Sequence, residues 1–324
     1  LRSWWYFNLY RVFGVVPIAR TVVAPAAAKL IPRCTEEEMY TLLTEDLSEA
    51  ARLLPSTPGS EKARVANIAA YTLLAKVYLT FGKPAEAKTV LEEAMKNTAY
   101  GLETTTKRVF DVSNKMNKEI IFALYYNKTN DNGHGYWYSA NTEVLADIRN
   151  PTPEFKAIYD GEKDNRLPLI STYTKISSNL FAMNKWYDTY DATYTDQVGN
   201  DFPHLRYADV VLMYAEALAE SGGSLDDALV WLNKTRVRAG LDELTTDEVK
   251  SLAEFRRELA DERGREFALE GHRWFDLVRL GLAVDYFRGL GYSLDAHNLI
   301  FPIPQSQIEI VNNPSILWQN PGFN

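Results

Sequence analysis

Residues 251–282, SLAEFRRELADERGREFALEGHRWFDLVRLGL, leave the chain few ways to fold. Glu262, Glu266, Glu270, Arg273, Asp276 and Arg279 recur every three or four residues. On a helix that spacing sets side chains on one face, within reach of pairing. Between them stand Phe255, Leu259, Phe267, Trp274, Phe275, Leu277 and Val278. A solvent-facing helix would not carry so many rings, and a plain core helix would not carry so many charges. The pattern predicts a half-buried, salt-bridged spine of two helical pieces hinged at Gly271, against which other helices dock. An active site is the rival reading, because carboxylates and arginines in a cleft also serve as acid and base.

The docking partners are written in the rest of the chain. Residues 1–13 read as a helix with Trp5, Leu9 and Val12 on one face, stopped by Gly14 and Pro17. Thr35 with Glu38 three residues on forms a capping box for a helix reaching about residue 54. Helical patterns follow over about 62–81 and 84–97, separated by Gly82-Lys83-Pro84. Residues 207–239 repeat the arrangement around Gly222-Gly223, with Ala208, Leu212, Ala215 and Leu218 before the turn and Leu225, Ala228, Leu229 and Leu232 after it. Two Ala-rich helix pairs of this kind have the form of tetratricopeptide repeats. The expected fold is mainly α: tetratricopeptide-like helix pairs carrying a loop-rich aromatic subdomain. We read 1–324 as one domain, with a helical scaffold at 1–100 and 204–282, a ligand-facing region at 101–203 and an irregular C-terminal strap at 283–324.

Composition narrows the function classes. A net charge of −8 with no local basic cluster argues against a nucleic-acid partner. One cysteine, Cys34, excludes an intrachain disulfide, and four scattered histidines give no zinc spacing. No run approaches the roughly 18 apolar residues that span a bilayer. The apolar stretch 20–34 is broken by Pro25, Lys29 and Pro32 and reads as a loop. Because the chain starts at Leu1 in mid-pattern, we expect it to be a mature or truncated product.

Residues 127–203 change character: helical periodicity fades while rings and small polar groups accumulate. Tyr136, Trp137 and Tyr138 end an Asn/Gly-rich loop containing Asn130, Asp131, Asn132 and Asn141. Such rings can form a platform for the apolar faces of sugars, with the amides binding hydroxyls, or can plug the loop down. Further on, Trp186, Tyr187, Tyr190 and Tyr194 interleave with Asp188 and Asp191. Tyr190 and Asp188 are ligand candidates here, and Asp188 with Asp191 offers oxygens to a calcium ion. No cofactor is expected otherwise.

These pieces resemble the SusD/RagB family, the surface nutrient-binding lipoproteins of Bacteroidetes. The likeness runs in order through WYFNLYRVFGVVP (5–17), the helix pairs, DNR (164–166), RYADVVLMYAEALAE (206–220), RVRAGL (236–241), EFALEGHRWFDLVRLG (266–281) and the closing FPIPQSQI and NPSILWQNPGF words. The resemblance implies non-catalytic capture of an oligosaccharide at the outer-membrane surface by a lipid-anchored protein. It further implies delivery to a SusC-like TonB-dependent outer-membrane transporter. It marks Lys185 with Trp186 as scaffold, and it makes Glu266, Glu270, Arg273, Asp276 and Arg279 a structural network whose members neutralise one another. Relatives carry a lipidated cysteine and a substantial segment before the helix that opens this chain, and that segment supplies part of their glycan surface. Peptide binding on the same scaffold, a tetratricopeptide adaptor and a glycoside hydrolase with paired carboxylates are the alternatives.

Overall fold

The computed structural model describes residues 1–127, 134–135, 139–140, 151–177, 180–188 and 197–323. Among these the protein is mainly helical, with ten helices of seven residues or more: α1 (Arg2–Phe13), α2 (Glu36–Leu53), α3 (Asn67–Thr80), α4 (Pro84–Met95), α5 (Tyr207–Glu220), α6 (Leu225–Arg238), α7 (Leu252–Glu266), α8 (Arg273–Arg279), α9 (Ala283–Gly289) and α10 (Gln305–Val311).

Local chemistry sets these boundaries. The Thr35 hydroxyl accepts from the Glu38 amide while the Glu38 carboxylate accepts from the Thr35 amide, so α2 starts on a complete capping box. Gly82, at φ +67°, turns α3 into α4, and Pro84 opens the new helix where no amide donor is needed. Gly222, at φ +82°, does the same between α5 and α6. The two pairs lie far apart in sequence, yet α5 packs on α4 as well as on α6, so they stand side by side. Phe7, Met39, Leu43, Ile68, Leu74 and Leu91 fill the core between α1, α2, α3 and α4. A second core joins α5, α6, α7 and α8 through Leu212, Leu229, Phe255, Leu259, Phe267 and Leu277.

The apolar run after residue 118 is a strand, β1 (Ile120–Leu124), paired antiparallel with β7 (Phe202–Arg206) and placing Ile120 opposite Arg206. Between them, β2 (His134–Gly135) pairs with β6 (Gln197–Val198), and β3 (Ser139–Ala140), β5 (Leu180–Met183) and β4 (Tyr173–Ser177) form a three-stranded sheet in the order 3-5-4. Two small cores lie beneath this region. One contains Val109, Phe110, Ile120, Ala123 and Trp186, the other Tyr159, Leu169, Ile170, Met183 and Ala268.

Two expectations need correcting. The C-terminal strap is not wholly irregular, since it contains α9, α10 and a 3-10 turn at Ala296–Leu299. Pro304 stands at the entry to α10, where its lack of an amide donor does no harm. The spine does break near Gly271 (φ +80°), but Leu269 also takes a positive φ of 67°, so the joint spans residues 267–272 rather than one hinge.

Candidate binding groove and the ion-pair network beneath it

The site is built upward from the spine. Arg206 Nη1 donates to Glu119 Oε1 at 2.7 Å and to Glu266 Oε1 at 2.6 Å, and its Nε donates to Glu270 Oε2 at 2.8 Å. Arg238 reaches Glu119 Oε2 at 2.6 Å and Glu266 Oε1 at 2.5 Å. Arg166 grips Asp164 through Nε and Nη2, and donates to Glu262 at 2.7 Å and Glu266 at 3.0 Å. Arg265 closes on Glu262 at 3.1 Å, and Lys185 Nζ donates to Glu270 at 2.8 Å and to Ala268 O at 2.6 Å. Five cations thus face five carboxylates, nearly all of them buried.

Burial pushes the Glu266 carboxyl up, but Arg238, Arg206 and Arg166 outweigh it and hold the group below the usual carboxylate range. Burial likewise pulls Arg206 down, yet Glu270, Glu266 and Glu119 keep it well above its ordinary value. Glu270 is held low against burial by Arg206 and Lys185. Glu262, Glu266 and Glu270 are therefore ionised, multiply bonded struts rather than free acids or bases.

The expected partners were only partly right. Glu266 and Glu270 are neutralised by Arg166, Lys185, Arg206 and Arg238, all outside the spine. Asp276 and Arg279 do pair, at 3.0 Å, in a second cluster with Arg263, Asp209, Lys76 and Glu216. Arg273 belongs to neither cluster. It bonds Asp261 at 2.9 Å and the Ala260 carbonyl, with its side chain 19% exposed. Its planar group crosses the backbone of α7, where a Cβ on Gly264 would come within 2.8 Å.

From this base a short segment rises to the surface. In Asn184–Asp188, Lys185 is pinned to Glu270, and Trp186 stacks on Phe202 (5.4 Å, 10°) and meets Phe110 edge-on at 5.0 Å. Asp188, expected at the ligand, is instead buried, and its Oδ2 accepts from the Gly199 amide at 2.9 Å. That carboxylate holds the loop. With its neighbours tied down, Tyr187 is left 40% exposed.

Tyr187 stands over a cavity of about 540 Å³ lined by Thr105, Lys107, Asn165, Pro168, Leu169, Thr174 and Asn184. A second cavity of about 240 Å³ shares Lys107, Leu169, Asn184 and Tyr187 with it and runs on past Phe110 and Asp111, so the two make one groove. The Asn184 side chain is set by Thr174, whose hydroxyl donates to Oδ1 at 2.6 Å. Asn165 sits in the same D-N-R turn whose Asp164 and Arg166 anchor the network, and its Nδ2 donates to Arg238 O at 3.2 Å. Asp111 is the one carboxylate lining the groove among the described residues. Hydrogen bonds from the Ser113 hydroxyl and amide hold it below its ordinary pKa.

Tyr136, Trp137, Tyr138, Asn130, Asn132 and Tyr190 lie outside the described residues, as does Asp191. Among the described residues no cluster of three His, Cys, Asp or Glu is placed to hold a metal ion. Sequence reasoning missed Tyr187, Asn184 and Asn165 as groove residues. The signal for Tyr187 was its place between two residues, Trp186 and Asp188, that turn inward.

The family comparisons fall on these same elements. Residues 159–299, from the D-N-R turn through the spine, match the model described as SusD family, and residues 1–79 match one described as starch-binding associating with outer membrane. The chain belongs to the SusD family. A SusD-like protein of Formosa agariphila is 28% identical over 99% of this chain and 72% of its own length. The starch-binding protein SusD of Bacteroides thetaiotaomicron is 38% identical over 140 residues, 41% of this chain and 23% of that protein. Among solved structures, a laminarin-binding SusD-like protein superposes with a TM-score of 0.74 at 27% identity, over 99% of this chain and 77% of that one. A SusD superfamily protein from Bacteroides vulgatus reaches 0.79 at 24% identity, over 99% of this chain and 76% of that one, a likeness of fold. The SusD-like core described here is therefore helix pairs, spine and C-terminal strap in one arrangement.

Proposed function

We propose that this protein captures a glycan, without cleaving it, in the groove beneath Tyr187. The observation that carries this reading is one exposed ring, fixed by buried neighbours, above a channel of amides, hydroxyls and one lysine. A sugar offers the matching surface, with an apolar C–H face for the ring and hydroxyls for Asn165, Asn184 and Thr174. The rings and amides that the sequence nominates, Tyr136, Trp137, Tyr138, Asn130, Asn132 and Tyr190, are proposed as further ligand contacts on the sequence alone. Catalysis finds no support in the groove. Glycoside hydrolysis needs two carboxyl groups about 5–9.5 Å apart, whereas the described lining has Asp111 alone, held ionised.

By family likeness, the protein works at the outer-membrane surface and passes its ligand to a SusC-like TonB-dependent transporter. No described helix is long and apolar enough to cross a membrane. The laminarin-binding neighbour makes laminarin the first glycan to titrate. Calorimetry should register binding, with Tyr187→Ala and Trp137→Ala each costing at least about 1 kcal/mol, as for buried aromatic anchors. Release of shorter sugars from the bound glycan would overturn the non-catalytic reading. Binding of peptides in place of any glycan would favour the second use of the scaffold.

A further inference from the structure

A separate feature lies between α1 and α8. Two cavities, of about 450 and 500 Å³, share Arg11, Lys76, His272 and Phe275 in their walls. The direct ion pairs there do not reach every cation. Lys76, Arg263 and Arg279 are matched by Asp209, Asp276 and Glu216 in direct ion pairs. Among the described residues, Arg11 is the cation of this group without a direct ion pair. It is clasped between Phe7 and Phe275, at 4.6 and 4.0 Å from the ring centroids, and its Nη2 donates to Asn8 Oδ1 at 2.6 Å. Nε is buried with no acceptor, and no described carboxylate is within pairing distance. Glu36, in the wall of the first cavity, is exposed and accepts from the Tyr10 hydroxyl at 2.8 Å.

Asp276 and Asp209 act on this buried guanidinium only through space, their direct pairs being with Arg263, Arg279 and Lys76, and a buried charge short of bonded partners is costly unless an anion completes it. Around it, the first cavity is walled by Val15, Phe275, Val278, Leu299 and Ile300. We propose that this cavity binds a small carboxylate with an aliphatic body, its charge on Arg11 and its chain against the Phe275–Ile300 wall. The site is independent of the Tyr187 groove and stands or falls apart from the glycan reading.

Calorimetric titration of the whole chain with sodium hexanoate tests the proposal, with hexanamide, glucuronate and inorganic phosphate as parallel arms. Hexanoate is expected to bind at least ten-fold more tightly than each of the other three, because only it carries both features. Arg11→Gln is expected to weaken it at least ten-fold. Should that variant fail to fold, Val15→Trp fills the cavity from another wall and is expected to abolish hexanoate binding while keeping the wild-type circular-dichroism spectrum. Equal affinity for hexanamide, tighter binding of glucuronate or phosphate, or hexanoate binding undiminished in Val15→Trp would each overturn the proposal. So would an absence of hexanoate binding by the unmodified protein.

Discussion

At the scale of single residues, the spine's charges divide by what surrounds them. Arg206 serves Glu119, Glu266 and Glu270 at once with 1% of its side chain exposed, so Arg206→Ala takes one cation from each of three buried carboxylates. Removing one partner of a buried pair costs about 3–5 kcal/mol, and Arg206→Ala should fall at or beyond the top of that range in urea denaturation. Arg273→Ala removes a pair whose Asp261 partner is 38% exposed, and should cost about 1–2 kcal/mol. Equal losses would mean that the network is not cooperative. The sequence announced which residues of the spine carry charge, because their helical spacing is visible. It could not announce their partners, since Arg166 and Glu266 meet across 100 residues of chain and Glu119 meets Arg206 beside the β1–β7 ladder. Tyr187 was obscured for a related reason. Its exposure follows from the burial of Lys185, Trp186 and Asp188, which is a tertiary fact.

At the scale of elements, the helix pairs were legible because they rest on local signals: a capping box, Gly turns and alanine-lined faces. The second pair's turn is tightly built. A Cβ on Gly223 would lie 2.6 Å from the Leu218 carbonyl oxygen, which is backbone and already accepts from the Gly223 amide at 2.9 Å. Gly223→Ala should therefore destabilise the protein by about 1–3 kcal/mol, the range for forced overpacking, measured as a lowered urea midpoint. A neutral or stabilising outcome would show that the turn can open without loss. The strap's helices α9 and α10 were less legible, being short and flanked by prolines and glycines that suggest irregular chain. Docking supplies what their sequence lacks: Ala283 is buried in the second core, and Arg33 ties the strap to α1 through Trp318 O and Asn320 Oδ1.

At the scale of the whole molecule, the network makes stability depend on pH in a set direction. Glu262, Glu266, Glu270, Asp209 and Asp276 are pushed up by burial but drawn below their ordinary values by neighbouring cations. Unfolded, such groups titrate near 4. The unfolded chain then binds more protons in acid, so the stabilisation present above about pH 5 is lost as pH falls. His204, lowered to about 4, and His272, lowered to about 3, both chiefly by burial, add the same sign from about pH 6.5 downward. Glu216, raised by burial, opposes the trend as a single group. The urea midpoint should be level near pH 7–8, decline below about 6.5 and fall steeply below about 5. A level midpoint down to pH 4 would contradict the assignment of these carboxylates as ionised struts.

The proposed division of labour, a charged spine below and a ligand groove above, is tested most directly by one titration. Laminarin is added to the wild-type chain and to Tyr187→Ala, with thermal melting recorded for both. The account predicts closely matching melting curves and an affinity at least about five-fold weaker in the variant, the equivalent of roughly 1 kcal/mol. Undiminished laminarin affinity in a fully folded Tyr187→Ala protein would contradict it.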